Sequence, residues 1–272
     1  MERNMSELEQ ALFSKSYLLK VRLRMIVEAV GSMEGRAGLC VGTVPATLRA
    51  RLMALGGDWT FSGERARLPY DSGAFDRVVI LDHLEWVDDD YAFIADVHRV
   101  LKTAGILYVD TEHLKRWTVW RPVRRLFGVE ERPAERLRDG YTGGGLFDVL
   151  KDGFDVQETR TYSRFFIEGT ETMSRLAVGA FLNAERSDAA DREGDDEADV
   201  VSRRLYTIQA IAYPFFVIAN ALDWLVFYTR GYRLMAVARR RLWKPRRAPV
   251  LRDGRSLVDA TLNTKIGTAA DF

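Results

Sequence analysis

LPYDSGAFDRVVILDHLEWVDDDYAFIADVHRVLKTAGILYVDT, residues 68–111, is the stretch that decides the fold. It opens on turn residues, Pro69, Asp71 and Gly73. Residues 75–81 are apolar and β-branched, with Val78, Val79 and Ile80 in sequence, which suits a strand buried on both faces. Asp88 can cap a following helix whose stripe is Phe93, Ile94, Val97, Val100 and Leu101. Gly105 ends the turn and residues 106–109 form the next strand. Strand, helix and strand in so few residues predict a right-handed crossover and a parallel sheet.

Working outward, residues 17–34 read as a helix with one broad apolar face (Leu18, Leu19, Val21, Leu23, Ile26, Val27, Val30), broken by Gly35 and Gly38. A short buried strand at 39–42 follows. A helix over 46–55, with Pro45 in its first turn, is stopped by Gly56-Gly57, and a strand at 58–62 comes next. Downstream, 143–150 reads as a helix, and 154–158 and 161–167 as two closing antiparallel strands. Residues 184–200, AERSDAADREGDDEADV, hold too little apolar surface to offset ordering entropy and read as a linker. The division expected is a helical segment at 1–36, an α/β domain at 37–183, an acidic linker at 184–203, an apolar and basic helical region at 204–247, and a loosely ordered tail at 248–272.

The chain has 272 residues, 47% of them apolar, enough for one domain with a core and an appendage. Its net charge of +1 names no partner. Cys40 is the only cysteine, which excludes an internal disulfide and a cysteine-based metal site. His83, His98 and His113 have no metal-ligand spacing. Residues 1–24 alternate charged with apolar residues, so no signal peptide is read and a cytoplasmic start is expected.

Leu68-Pro69-Tyr70, Phe75-Asp76, Leu84-Glu85-Trp86-Val87, and Arg99-Val100-Leu101-Lys102 with Gly105 together resemble the central segment of class I S-adenosylmethionine-dependent methyltransferases of the UbiE and type 11 kind. With its flanks the resemblance covers about 37–168. It implies an α/β, Rossmann-like methyltransferase sheet and S-adenosylmethionine as cofactor. Two departures stand out. The family's first strand ends in an acid and a glycine-rich loop, where this chain has Cys40-Val41-Gly42-Thr43-Val44-Pro45-Ala46 and keeps only Gly42. Between Gly57 and Gly63 only one strand fits, so a helix and a strand of the family's sheet, and the acid that anchors the ribose, are missing. The expected sheet is therefore truncated.

The resemblance aligns Gly63-Glu64 with the pair that borders the adenine, and Asp82 follows a parallel strand at the end where open α/β sheets bind ligands. Gly42, Glu64 and Asp82 are thus the cofactor-binding candidates. His113 follows the next strand and is the general-base candidate, since its ordinary pKa lies near neutrality. His98 reads as structural, and no metal site is expected.

Residues 116–127, RWTVWRPVRRLF, mix aromatic and basic side chains, as do nucleic-acid and membrane-surface helices. Residues 205–222 carry no charge and have arginines on both sides. Pro214 interrupts them, so a broken, re-entrant or surface-lying helix pair is expected rather than a span, with Asp223 near the headgroups. The readings that follow are a cytoplasmic, membrane-peripheral methyltransferase acting on a lipid or glycolipid-type acceptor, or a non-catalytic methyltransferase-like scaffold with a protein partner in a membrane assembly. Nucleic-acid binding is a third reading, which the apolar C-terminal region sets behind the other two.

Overall fold

The computed structural model describes residues 17–42, 44, 46–115, 120–127, 136–188, 196–226 and 228–243. Residues 1–241 form one compact unit, and 242–272 a second, of which only Leu242 and Trp243 are described. The expected tail at 248–272 therefore lies outside the described residues.

In chain order the first unit holds α1 (Tyr17–Val30), β1 (Ala37–Gly42), α2 (Ala46–Met53), β2 (Asp58–Ser62), β3 (Phe75–Leu81), a single 3-10 turn (Leu84–Trp86), α3 (Asp90–Val100), β4 (Leu101–Glu112), α4 (Trp120–Leu126), α5 (Gly143–Leu150), β5 (Phe154–Tyr162), α6 (Phe165–Asp188), α7 (Asp196–Leu225) and β6 (Arg233–Arg240). The strands form one sheet in the order β2-β1-β3-β4-β6-β5. β2, β1, β3 and β4 are parallel, and β6 runs antiparallel between β4 and β5.

Period-2 alternation sorts the strand side chains onto two faces. Cys40, Val79, Leu81, Tyr108 and Met235 cluster with Leu23, Ile26 and Val30 of α1 and with Leu48 and Leu52 of α2. Their strand neighbours Leu39, Val41, Val78, Ile80, Leu107 and Val109 are equally buried, so the sheet is covered on both faces. Asp89, one residue beyond the expected cap, closes the start of α3 by accepting from Ala92 N at 2.9 Å.

The truncation is as expected. Among the described residues the sheet has six strands, and 63–74 between β2 and β3 hold neither helix nor strand. That loop must carry the chain back across β1 to start β3, and α3 straps it in place. Asp96 Oδ2 accepts from Leu68 N at 2.7 Å, while Arg99 donates to the carbonyls of Tyr70 and Leu68 at 2.6 and 3.0 Å. Lys102 Nζ donates to Asp76 Oδ2 at 2.8 Å, and the same oxygen accepts from Ala37 N at 2.9 Å. The residues that carry the sequence resemblance are thus largely staples between the loop, α3 and the first strand.

Three expectations are corrected. Residues 161–167 are not a strand: β5 ends at Tyr162, Ser163 takes φ +56°, and α6 starts at Phe165. The second closing strand is β6, inside the stretch expected to be helical. Leu234 to Ala238 form a five-residue apolar run, and periodicity alone does not separate so short a run from a helix. The long apolar segment is one helix with Pro214 inside it, not a broken pair. The acidic stretch is helical at both of its ends, to Asp188 and from Asp196, and 189–195 lie outside the described residues.

β5 and β6 are therefore neighbours joined by a helical hairpin, α6 and α7, rather than by a tight turn. Asp223 near the end of α7 holds its base. Its carboxylate accepts from Arg164 N and Phe166 N, both at 2.8 Å, satisfying donors that the start of α6 leaves open. Asp223 is buried there. Among the described residues no helix is long and apolar enough to cross a membrane.

Candidate functional site at the carboxyl edge of the sheet

The parallel strands β1 to β4, together with β5, end at one edge, and β6 begins there: Gly42 pairs with Leu81, Leu81 with Asp110, and Arg233 with both Glu112 and Tyr162. Ligands of open α/β sheets bind outside this edge. All four sequence candidates lie along it.

Gly42 closes β1 with φ +119°. A Cβ there would stand 2.1 Å from Leu81 O and 3.3 Å from the His83 Cβ, so the neighbouring strand already requires a glycine. Thr43 and Pro45 of the expected loop lie outside the described residues. Val44 packs against the core cluster of α1, α2 and the sheet. Glu64 is exposed on the loop after β2, and its carbonyl accepts from His83 Nε2 at 2.7 Å. Gly42, His83 and Glu64 therefore stand together.

Asp82 follows β3 in a left-handed conformation, φ +46°. Its carboxylate faces Arg22 of α1 at 2.6 Å and Arg233 of β6 at 2.7 Å. Both arginines also reach Asp110 at the end of β4, at 2.5 and 2.6 Å, and Tyr162 donates to the other oxygen of Asp110 at 2.7 Å. Burial pushes the Asp82 carboxyl up, but the two guanidiniums outweigh it and hold it down at about 2. The same carboxylates raise Arg22 and Arg233 against the opposite pull of burial.

The network is not saturated. Arg22 Nη2, Arg233 Nε and Asp82 Oδ1 are buried without a hydrogen bond; Asp82 Oδ1 has the charge of Arg233 beside it but no aligned donor. Beside it, Glu85 is fully buried. Its Oε1 accepts from the Thr111 hydroxyl and from Glu112 N, and its Oε2 has no partner. Burial, then the Asp82 charge, raises its pKa. Buried polar atoms without partners are scarce in folded proteins, and four along one edge suit a polar ligand.

His113 sits just past β4, buried, with Nδ1 2.7 Å from Gly231 O. A carbonyl only accepts, so Nδ1 carries the proton and Nε2 is the basic nitrogen of the neutral ring. Burial pushes its pKa down, the Gly231 carbonyl opposes this, and Lys115 and Arg230 push it down further. His98 lies in α3, away from this edge, with Nε2 2.7 Å from Arg241 O. Among the described residues no cluster suited to a metal ion is present.

The sequence reading missed Arg22, Asp110, Arg233, Tyr162 and Glu85. Asp110 could have been found, since it ends an apolar strand just as Asp82 does. Arg22 and Arg233 come from segments read as a packing helix and a basic tail, where nothing in the pattern sets one arginine apart.

The sheet order, the parallel half with its antiparallel closing pair, and a polar edge beyond the strand ends make a Rossmann-like α/β sheet. Residues 46–109 match the family described as methyltransferase domain, of the type 11 kind, and the cofactor that goes with this match is S-adenosylmethionine. Similar solved structures include the cyclopropane synthase MmaA2 from Mycobacterium tuberculosis, with 16% identity, TM-score 0.48, and coverage of 82% of this chain and 84% of that one. A chain of the Haloferax volcanii complex that contains the Trm112 methyltransferase activator has 13% identity and TM-score 0.47, covering 87% of this chain and 95% of that one. A SAM-dependent methyltransferase from Aquifex aeolicus has 15% identity and TM-score 0.38, covering 51% and 82%. No functionally curated protein matches the sequence.

Proposed function

We propose that this chain is an S-adenosylmethionine-dependent methyltransferase working at a membrane surface on a lipid, isoprenoid or glycolipid-type acceptor. The observation that carries the reading is the α6–α7 hairpin. It rises from the carboxyl edge of the sheet, beside the polar site, and its outer side on α7 is apolar. Ile211, Phe215, Val217, Ile218, Leu222, Trp224 and Leu225 are exposed, while Phe216, Ala219 and Asp223 face inward. This apolar arc covers about half of the helix circumference at 100° per residue. A face so wide, with Trp224 and Tyr228 at one end and Arg230 just beyond, suits the headgroup boundary of a bilayer.

At the site the unpartnered Arg22 Nη2 and Arg233 Nε suit the carboxylate of the amino-acid end of S-adenosylmethionine, and Asp82 Oδ1 suits its ammonium. Glu64 is the group nearest to hand for the nucleoside end, beside Gly42. The cofactor supplies an electrophilic methyl group. His113, neutral and oriented by Gly231 O, takes the acceptor's proton at Nε2 while the edge holds acceptor and cofactor together.

Calorimetry with S-adenosylmethionine and S-adenosylhomocysteine on the full chain tests the cofactor part. Binding of both is expected with a dissociation constant weaker than about 1 μM, less than about 8 kcal/mol, because Val44 and Ala46 stand where the family has glycine. A submicromolar constant would mean that backbone elsewhere replaces the glycine loop. No heat at millimolar ligand would leave the second reading, a methyltransferase-like scaffold, which the mutual pairing of Arg22, Asp82, Asp110 and Arg233 favours.

Flotation with vesicles of phosphatidylcholine and phosphatidylglycerol tests the membrane part. Wild-type chain is expected to float. Ile218→Asp with Leu225→Asp, both at exposed positions, should reduce the bound fraction at least tenfold, since each aspartate on the bilayer side costs about 2–3 kcal/mol. Salt should remove only the arginine contribution. Equal flotation of the two proteins would sink the surface assignment.

A further inference from the structure

Between α4, α6 and α7 runs an apolar groove of about 450 Å³. Trp120, Phe166, Met173, Ala177, Ile208 and Phe215 form most of its wall. The two hydroxyls in the wall are spent on backbone: Thr170 donates to Phe166 O and Ser174 to Thr170 O, both at 2.9 Å. What faces the groove is therefore almost entirely hydrocarbon. Trp120 also lines it, and its Nε1 donates to Phe165 O at 3.0 Å. Its ring lies so close to α6 that a Cβ at position 169 would come within 2.5 Å of it, so Gly169 is what admits the ring.

Two features say what belongs there. On α6 the residue next to the lining Gly169 is charged. Glu168, buried, pairs with Lys115 at 3.1 Å and with Arg124 at 3.5 Å, and Lys115 lies two residues beyond His113. Ile211 and Phe215 belong both to the groove wall and to the exposed outer face of α7. The groove thus adjoins both an apolar surface and a charged cluster near the end of β4. A partner helix, about 10 Å across, would fill the groove within about one turn, whereas the volume is of small-ligand size.

We propose that this groove holds the hydrocarbon tail of one lipid molecule, with its polar end at the Glu168, Lys115 and Arg124 cluster beside the methyl-transfer edge. The assignment rests on the lipid-type acceptor reading and gives it a binding site. The tail lies against Ile211 and Phe215 of α7 and against the ring of Trp120.

cis-Parinaric acid, a linear polyene fatty acid, is the probe. Its fluorescence on titration into the full chain should rise saturably to one probe per protein. Ala177→Trp, which fills the groove, and Met173→Lys, which places a charge at an exposed position of its wall, should each weaken binding by at least tenfold, about 1.4 kcal/mol. Met173 is half exposed, so that variant is expected to fold even where Ala177→Trp does not. Calorimetry with S-adenosylhomocysteine on the same variants should match wild type. Absent or non-saturable probe binding in wild type, or unchanged affinity in a folded variant, would overturn the groove assignment. Probe binding without any cofactor heat would leave the groove standing and remove the methyltransferase reading alone.

Discussion

Arg233→Ala is expected to lower the free energy of unfolding by about 3–5 kcal/mol, read by urea titration with circular dichroism. Arg233 is buried, and its guanidinium spans Asp110 at 2.6 Å and Asp82 at 2.7 Å. Its loss leaves Asp110, 2% exposed, with one cation instead of two. A buried charge stripped of a partner costs far more than the intact pair contributes. Arg233→Lys keeps the charge but not the fork and should lose less. The acid limb follows in sign. Asp82 has a folded pKa of about 2 against an ordinary 3.8, so its contribution is full above 3.8 and is lost as pH falls through about 2. With Arg233 gone, one of the two guanidiniums that depress it is missing, and acid unfolding should begin at higher pH. A loss under about 1 kcal/mol, in the range of exposed pairs, would show that water enters this edge freely.

Gly42→Val should cost about 3 kcal/mol or more. Two penalties act together. Residue 42 has φ +119°, which side chains rarely adopt, and the new Cβ would stand 2.1 Å from a backbone carbonyl, Leu81 O, that belongs to the middle of the sheet. Gly35→Ala separates the two, since Gly35 has φ +67° but nothing within 4 Å of a built Cβ. That variant should lose only about 1 kcal/mol. Equal losses at both positions, measured by thermal unfolding, would mean that β1 shifts to make room. The comparison also bears on the motif. Glycine at 42 is demanded by β3 whether or not a cofactor lies beside it, so its presence alone carries no weight for binding.

What the sequence disclosed follows from where side-chain pattern and packing agree. The β3-α3-β4 unit was readable because a strand buried on both faces is apolar throughout and α3 has a clean stripe between its cap and Gly105. The missing helix and strand were readable as plain length, since too few residues separate Gly57 from Gly63. β6 was not readable, because it is too short to show a period and the arginines around it suggest a tail. α7 was misread at Pro214. Packing of its inner side, through Phe216 and Ala219 against Ile167 of α6, outweighs the donor that proline removes. Of the site, Gly42, Glu64, Asp82 and His113 could be placed at one edge because each follows a strand. The ion-pair network could not, since it joins residues as far apart as 22 and 233 and no local pattern records such a meeting.

The position of β6 has a consequence for synthesis. It lies between β4 and β5, yet among the described residues it is the last strand made, and more than 120 residues separate it from its β4 partners. Until it leaves the ribosome, β4 shows an open hydrogen-bonding edge and β5 has no neighbour at all. Pairings of such long range form slowly, because the loop must close before any contact rewards it. During that interval the nascent chain displays both an unpaired strand and the bare outer side of α7. Each is a known starting point for association with other chains. A membrane surface or a chaperone that covers the helix early would shield the half-built sheet while the strand that joins β5 to it is still being translated.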